Sequence, residues 1–530
     1  VSTIFGFYSG SHSANSACVK DGQIIAAIEE ERLNRIKAGD NYDINCVKSS
    51  SLIQEYSNLN IEEADYRIFV DPVSKKFARE IFKNTYETCS HHDAHAYGAY
   101  FTSGMDGKVL SITHDGGGEN SHMKIYTCVD GKMTLFRQYP VKSSGSLSSL
   151  WGFSTSSIMG YNQYYEGNWK MCKDEGKLMG MSADGEYDET IYKMLNSVID
   201  YKDLRFFPSN TRWKTKFLCD MMFNEGYFST KRKREIYSFN LQKLTNDLFL
   251  RFLSDLHKIF PDYKKLCFSG GLFSNVKLNQ KINEIDWVDE IYIMPPMGDE
   301  GLSLGACIKK SYELGEWDKP KKLQNVFFGP SYTNEQIYSI SKSYNLERKK
   351  YIPSEIAFEL NEGKIIGWFQ SGSEHGPRAL GARSILVRPT DVLAHSVLNK
   401  KLKRDETMPF APIVMSENFD EIFFPPKSKY ASEFMTICFE TKQEWVERIP
   451  AVIQKSDKTA RPQIVCKNKL PKFWDILNEY YILSNIPVLL NTSFNLHNEP
   501  IVENPTQAFN ILDKGIIDKL VIEDYVYSNK

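Results

Sequence analysis

Two stretches of this chain follow one pattern, and that pattern limits the folds open to both. The first runs from an apolar segment, STIFGFY, through the small-residue loop SGSHSANS to ACVK, then the turn Asp21-Gly22 and QIIAAIEE. The second runs from KVLSIT through HDGGGENS to HMKIYTCV, then Asp130-Gly131 and KMTLFRQY. Asp-Gly between two β-like runs favours a tight hairpin, because both positions tolerate positive φ. A repeated strand, Gly/Ser loop, strand, turn and strand predicts a duplicated α/β domain whose two loops face each other. Loops of this composition bring backbone N–H groups close to phosphate oxygens.

A third loop of the same kind lies in LCFSGGLFSNVKLNQKI, where a short strand turns at Gly270-Gly271 into a helical segment containing Asn275. Amides at such a helix start favour negative charge, as at a nucleotide phosphate. Actin, sugar-kinase and chaperone (ASKHA) domains hold a nucleotide between two halves built this way. In YIMPPMGDEGLSLGACI, Asp299 precedes a helix, as an N-cap or as a ligand. CSHHDAHAYGAYF places three histidines in five residues. On a helix His91 and His95 fall one turn apart on one face, either to hold one cation or simply to begin the helix.

A chain of 530 residues is too long for one core. With 42% hydrophobic and 25% charged residues it reads as globular, and a formal charge of -2 gives no general attraction to nucleic acid or an anionic membrane. The basic run TKRKREIY, Thr230 to Tyr237, is a local anion patch or a solvated helix face. No apolar run approaches the roughly 18 residues that span a bilayer, and VSTIFGFYSG lacks a signal-peptide pattern, so the expectation is a cytoplasmic protein without membrane contact. Its 10 cysteines show no C-x-x-C spacing, which fits reduced, buried thiols.

Gly329-Pro330 marks a break in character. Beyond it, GKIIGWFQSGSEHGPRALGARSILVRP predicts a strand over 364–369 running into a loop with Glu374, His375, Arg378 and Arg383. Two guanidiniums five residues apart suit planar recognition of carboxylate or phosphate oxygens. In IPVLLNTSFNLHNEPIV a buried strand ends in Asn491-Thr492-Ser493, where an α/β sheet usually meets its ligand.

HHDAHA, HDGGGE, DEGKLMG, SGGLFSN, GDEGLSLGA, EHGPRALGARSIL, MPFAP, RPQIV and PVLLNTSFN occur in that order over nearly the whole chain. The set resembles the O-carbamoyltransferases of carbamoylated-antibiotic and Nod-factor biosynthesis. The resemblance implies an α/β fold of two domains: an ASKHA-type carbamoyl-transfer domain over 1–325 and a YrdC-like α/β domain over 326–530. It implies that the C-terminal domain makes carbamoyl adenylate from carbamoyl phosphate and ATP. The N-terminal domain would then pass the carbamoyl group to a hydroxyl of a small molecule or glycan. It also implies a divalent metal, iron being expected and Mg2+ an option with ATP, held by His91, His95, Asp115 and Asp299. His92 is then a bystander. His12 corresponds to the family's catalytic histidine, with Ser13 where the family usually has Asp. Gly116, Gly117, Gly270, Gly271 and Asn275 would bind the nucleotide or carbamoyl adenylate. Arg378, Lys403, Arg404, Arg461, Asn491 and Ser493 would bind carbamoyl phosphate and ATP, with Met408 standing where many members have Arg. A tRNA-modifying activity is the competing expectation, because both domains have relatives that together make threonylcarbamoyladenosine. The absence of an overall basic balance argues against it.

Overall fold

Both Asp-Gly turns form, with Asp21 and Gly22 at φ 52° and 67° and Asp130 and Gly131 at φ 48° and 90°. These left-handed pairs match the right-handed twist of the strands they join. The computed structural model describes residues 2–10, 13–37, 46–71, 85–159, 174–402 and 410–530. The expected site residues His12, Lys403 and Arg404, and the departure at Met408, lie outside the described residues.

The chain divides into two units: Val1–Ile25 with Ala38–Leu323, and Ala26–Lys37 with Gln324–Lys530. Ala26–Lys37 groups with the C-terminal unit although it precedes most of the N-terminal one in sequence.

The fold is mixed α/β, and its N-terminal unit carries the repeat as two five-stranded sheets. In the first, β1 (Thr3–Tyr8) pairs antiparallel with β2 (Asn15–Lys20) and parallel with β4 (Tyr66–Val70), in the order β3-β2-β1-β4-β5. Here β3 is Gln23–Glu29 and β5 is Glu87–Cys89. In the second, β6 (Lys108–Gly118) pairs antiparallel with β7 (Ser121–Val129) and parallel with the strand Lys265–Ser269. The strand Lys132–Pro140 flanks β7, and Glu290–Ile293 lies at the other edge. Each sheet is followed by a helix, His91–Ser103 after the first and Leu302–Glu313 after the second. The two helices pack closely: a Cβ added at Gly305 would lie 2.1 Å from the Ala94 carbonyl oxygen.

One expected loop is a strand. HDGGG does not leave the sheet at His114; β6 continues to Gly118, with a register shift between His114 and Gly118. A bulge of this kind lets a strand keep its pairing while re-aiming one side chain.

TKRKREIY forms the first turns of the helix Lys231–Ile259, with the Thr230 side chain accepting from Lys233 N. Lys231, Arg232 and Lys233 are exposed. Arg232 pairs with Glu186 at 2.6 Å, an acidic partner for cations at the unfavourable end of the helix dipole.

The C-terminal unit is built on an eight-stranded mixed sheet. Ile366–Phe369 forms the strand expected before the arginine loop, and Arg383–Val387 returns antiparallel beside it. Val488–Ser493 pairs antiparallel with Arg383–Val387 on one side and with Ala411–Met415 on the other. Gln463–Val465 lies parallel to Ala411–Met415 at the sheet edge. Among the described residues, no helix is long and apolar enough to cross a membrane, and the cysteines are unbridged, all buried except the half-buried Cys466.

Candidate functional site

His91 and His95 open the helix His91–Ser103, which Ser90 caps by accepting from Asp93 N. Lys124 on β7 donates to Ser90 Oγ and to Asp93 Oδ1, both at 2.8 Å, tying the first turn of the helix to the second sheet. The two imidazoles lie on one face, ring centroids 4.9 Å apart. Asp115 comes from the β6 bulge, its carboxylate accepting from Gly271 N at 3.0 Å and from Gly116 N. Asp299 opens the short 3-10 turn Asp299–Gly301 ahead of the helix Leu302–Glu313 and makes no side-chain cap there.

These four side chains converge. One ligand atom from each of His91, His95, Asp115 and Asp299 lies within 4.8 Å of the others. His91 Nε2 is 3.4 Å from Asp299 Oδ1 and 3.8 Å from Asp115 Oδ2. His95 Nε2 is 3.3 Å from Asp115 Oδ2 and 3.6 Å from Asp299 Oδ1. Both Nε2 atoms are buried without a hydrogen-bond partner. Ser269 Oγ donates to the Met297 carbonyl at 3.1 Å, so it accepts from His95 Nδ1 at 2.9 Å. In the neutral ring that choice of tautomer leaves the Nε2 lone pair facing the carboxylates.

Burial alone would lower the His95 pKa, but the facing carboxylates of Asp115 and Asp299 outweigh it and, in the site without a cation, push it up to about 9. Burial likewise opposes ionisation of Asp115, and the two imidazoles overcome it, holding the carboxyl well below its usual range. His92 differs: burial, then its histidine neighbours, drive its pKa down, and its ring nitrogens engage Thr113 Oγ1 at 2.8 Å and the Ser121 carbonyl at 2.9 Å.

Sequence reasoning missed four residues here. Tyr8 donates to Asp299 Oδ2, Ser269 sets the His95 tautomer and Lys124 anchors the helix start. Gly118 makes room for His91, since a Cβ there would sit 2.3 Å from its Cγ. Ser269 and Gly118 stood beside quoted glycines in the motifs; nothing local marked Tyr8 or Lys124.

The expected nucleotide contacts have local duties as well. Gly271 N–H serves Asp115, and Asn275 caps the helix Val276–Asn283 by accepting from Leu278 N at 2.9 Å while donating to Gln242. Gly116 leaves open space around its Cα, and Gly117 sits near His122. At Gly270, with φ 106°, an added Cβ would lie 2.4 Å from the His114 carbonyl oxygen.

In the C-terminal unit, the loop 370–382 carries Arg378, half-buried. Glu374 is 1% exposed, and its Oε1 accepts from the N–H groups of Leu380, Ala382 and Arg383 at 2.8, 2.8 and 3.0 Å. Asn491 donates to the Ala379 carbonyl at 3.0 Å and Gln463 to the Leu380 carbonyl at 2.8 Å. Both are 1% exposed, and the amide oxygen of each is buried without a partner. Arg461, two residues before Gln463, is half-buried with an unpartnered Nε. Ser493 faces Ser384 across the strand pair and donates to Asn495 Oδ1. Arg378, Arg461, Asn491 and Ser493 therefore belong to neighbouring elements of one sheet end. The expected partner of Arg378 does not join them as a ligand. Arg383 is fully buried, donates to the carbonyls of Gln370, Ser371, Ala382, Pro330 and Glu503, and stacks 3.5 Å over the Phe369 ring. With its donors turned to backbone, it closes the loop instead of meeting an anion.

Of the two mixed α/β units, one gathers an N/O donor set and the other carries an arginine loop. The Carbamoyltransferase N-terminus family model matches residues 45–308 and the Carbamoyltransferase C-terminus model residues 357–529; the chain belongs to the carbamoyltransferase family. It is 27% identical to the nodulation protein NolNO of Sinorhizobium fredii over 98% of this chain and 79% of that protein. It is 31% identical to the Methanocaldococcus jannaschii protein MJ1051 over 99% of both chains. Among solved structures, component A of Acidaminococcus fermentans (R)-2-hydroxyglutaryl-CoA dehydratase aligns at 16% identity and TM-score 0.38, over 58% of this chain and 97% of that one. Full-length HypF in its phosphate- and nucleotide-bound form aligns at 13% identity and TM-score 0.37, over 60% and 47%.

Proposed function

We propose that the chain is an ATP-dependent O-carbamoyltransferase working in two steps. In the C-terminal domain, 326–530, water cleaves carbamoyl phosphate to carbamate and phosphate, and a carbamate oxygen then attacks the α-phosphorus of ATP, giving carbamoyl adenylate as pyrophosphate leaves. In the N-terminal domain, 1–325, an acceptor oxygen attacks the carbamoyl carbon, the bond to AMP breaks, and the hydroxyl proton leaves to a base, the role assigned to His12. The acceptor is a hydroxyl of a small molecule or glycan.

The observation that carries this reading is the convergence of His91, His95, Asp115 and Asp299 within 4.8 Å, with both Nε2 atoms buried and unpartnered. Two imidazoles and two carboxylates suit a divalent transition metal, iron by the family resemblance. Bound there, the ion would act as a Lewis acid toward phosphate oxygens. Tyr8 and Ser269 orient Asp299 and His95. Arg378 and Arg461 supply guanidiniums for the anionic substrates, and the free amide oxygens of Asn491 and Gln463 can accept from a carbamoyl NH2.

The test uses the full chain with ATP, carbamoyl phosphate and ferrous ion, with and without saccharide acceptors. Pyrophosphate release that requires carbamoyl phosphate, and an acceptor gaining one carbamoyl group by mass spectrometry, are expected. His95→Ala should retain pyrophosphate release and lose transfer together with bound metal. No pyrophosphate release, or label passing to tRNA in place of any saccharide or small-molecule hydroxyl, would overturn the reading.

A further inference from the structure

The segment Glu29–Arg35, EEERLNR, belongs to the C-terminal unit although it leaves the third strand of the chain. It carries a buried charge pair that the two-step reaction does not use. Glu29 and Arg32 have side chains 5% and 1% exposed, with Arg32 Nε 3.5 Å from Glu29 Oε2. Two buried charges are costly to keep unless their placement serves something.

Both reach the same residue. Glu29 Oε1 accepts from Gly376 N, and Arg32 Nη2 donates to the Gly376 carbonyl at 2.6 Å. Gly376 sits at φ 114°, a conformation that L side chains rarely adopt, and it sets the direction of the two residues that follow, Pro377 and Arg378. On the far side of Arg378 the backbone is also tied, the Ala379 carbonyl to Asn491, the Leu380 carbonyl to Gln463 and the Leu380 N–H to Glu374. Arg35 locks the segment in place by donating to the Ile501 and Pro500 carbonyls, both at 2.7 Å. Arg378 is the residue of this run to which the proposed reaction gives an anion, so the clamp on the backbone before it bears on its guanidinium.

We infer that Glu29 and Arg32 are positioning residues for Arg378, gripping both sides of Gly376 so that the guanidinium is held ready for a phosphate-bearing substrate. This deepens the proposed C-terminal reaction and rests on that reading for the role of Arg378. Preorganisation of this kind appears as ligand affinity, because a loosened loop must be ordered on binding.

The experiment is isothermal titration of the full chain with pyrophosphate, for wild type, Arg32→Met, Arg378→Ala and the double variant, with thermal melting of each. Arg32→Met is expected to raise the pyrophosphate Kd about tenfold and Arg378→Ala by a similar factor, the double variant being no weaker than Arg378→Ala alone. Glu29→Ala, which removes the acceptor for Gly376 N, repeats the cycle if Arg32→Met does not fold. An unchanged Kd in both Arg32→Met and Glu29→Ala, losses that multiply in the double variant, or a wild type that does not bind pyrophosphate would overturn the inference. A wild type that binds pyrophosphate with this coupling but releases none from ATP would overturn the proposed reaction and leave the positioning role standing.

Discussion

Tyr8 donates its hydroxyl to Asp299 Oδ2 at 2.7 Å, while the other oxygen of that carboxylate stands 3.4 Å from His91 Nε2. The bond joins the end of β1, in the first sheet, to the turn after the last strand of the second. Burial, then the facing carboxylate, push the Tyr8 pKa well above the usual phenol value, so the hydroxyl remains a donor. Tyr8→Phe removes the group that fixes the carboxylate while keeping the ring. It is expected to weaken divalent-metal affinity by about tenfold with little change in melting temperature, read by titration of metal-stripped protein.

Glu374 accepts three backbone N–H groups in the arginine loop with one oxygen. Glu374→Ala strands those donors in a buried site and should destabilise the C-terminal unit by about 3 kcal/mol or more. Glu374→Gln keeps an accepting oxygen in the same place and should cost much less. Urea denaturation followed by tryptophan fluorescence, with Trp368 in the adjoining strand, separates the two.

Arg383→Lys replaces a planar guanidinium that serves five carbonyls and an aromatic face. An ammonium cannot reproduce the fork, and a loss of about 2 kcal/mol in stability is expected.

Glu29 gives the pH dependence a direction. Burial raises its pKa from 4.5 to about 7, opposed by Arg32 and reinforced by Glu31. With the folded value above the unfolded one, the native state favours the protonated acid. Its contribution is complete below pH 4.5 and is lost as pH rises to about 7. Glu29→Gln does not titrate. Its stability relative to wild type should therefore rise across that window, by on the order of 3 kcal/mol, in urea denaturation at its two ends.

The repeat, the two Asp-Gly turns, the strand before the arginine loop and the helix under His91 and His95 were legible in the sequence. Each is a local matter of hydrophobic alternation, turn chemistry or helical spacing, and these act over a few residues. The four donors could be named only because their motifs occur together in one family's order; spacing alone left His91 and His95 as the start of a helix and Asp299 as its cap. HDGGG was expected as a loop because glycine runs break strands, yet its neighbours in the sheet keep it paired and the bulge absorbs the strain.

By itself, the sequence determined the strands, turns and helices of this protein and the side chains available for chemistry, because those follow from each residue's own backbone preferences and neighbours. Tertiary structure decided which of them meet. It brought Tyr8 to Asp299, gave Arg383 to backbone carbonyls and Arg378 to the loop surface, and set Glu29 and Arg32 on either side of Gly376. Those choices are made by packing and by the need of every buried polar group for a partner, and both depend on residues hundreds of positions apart.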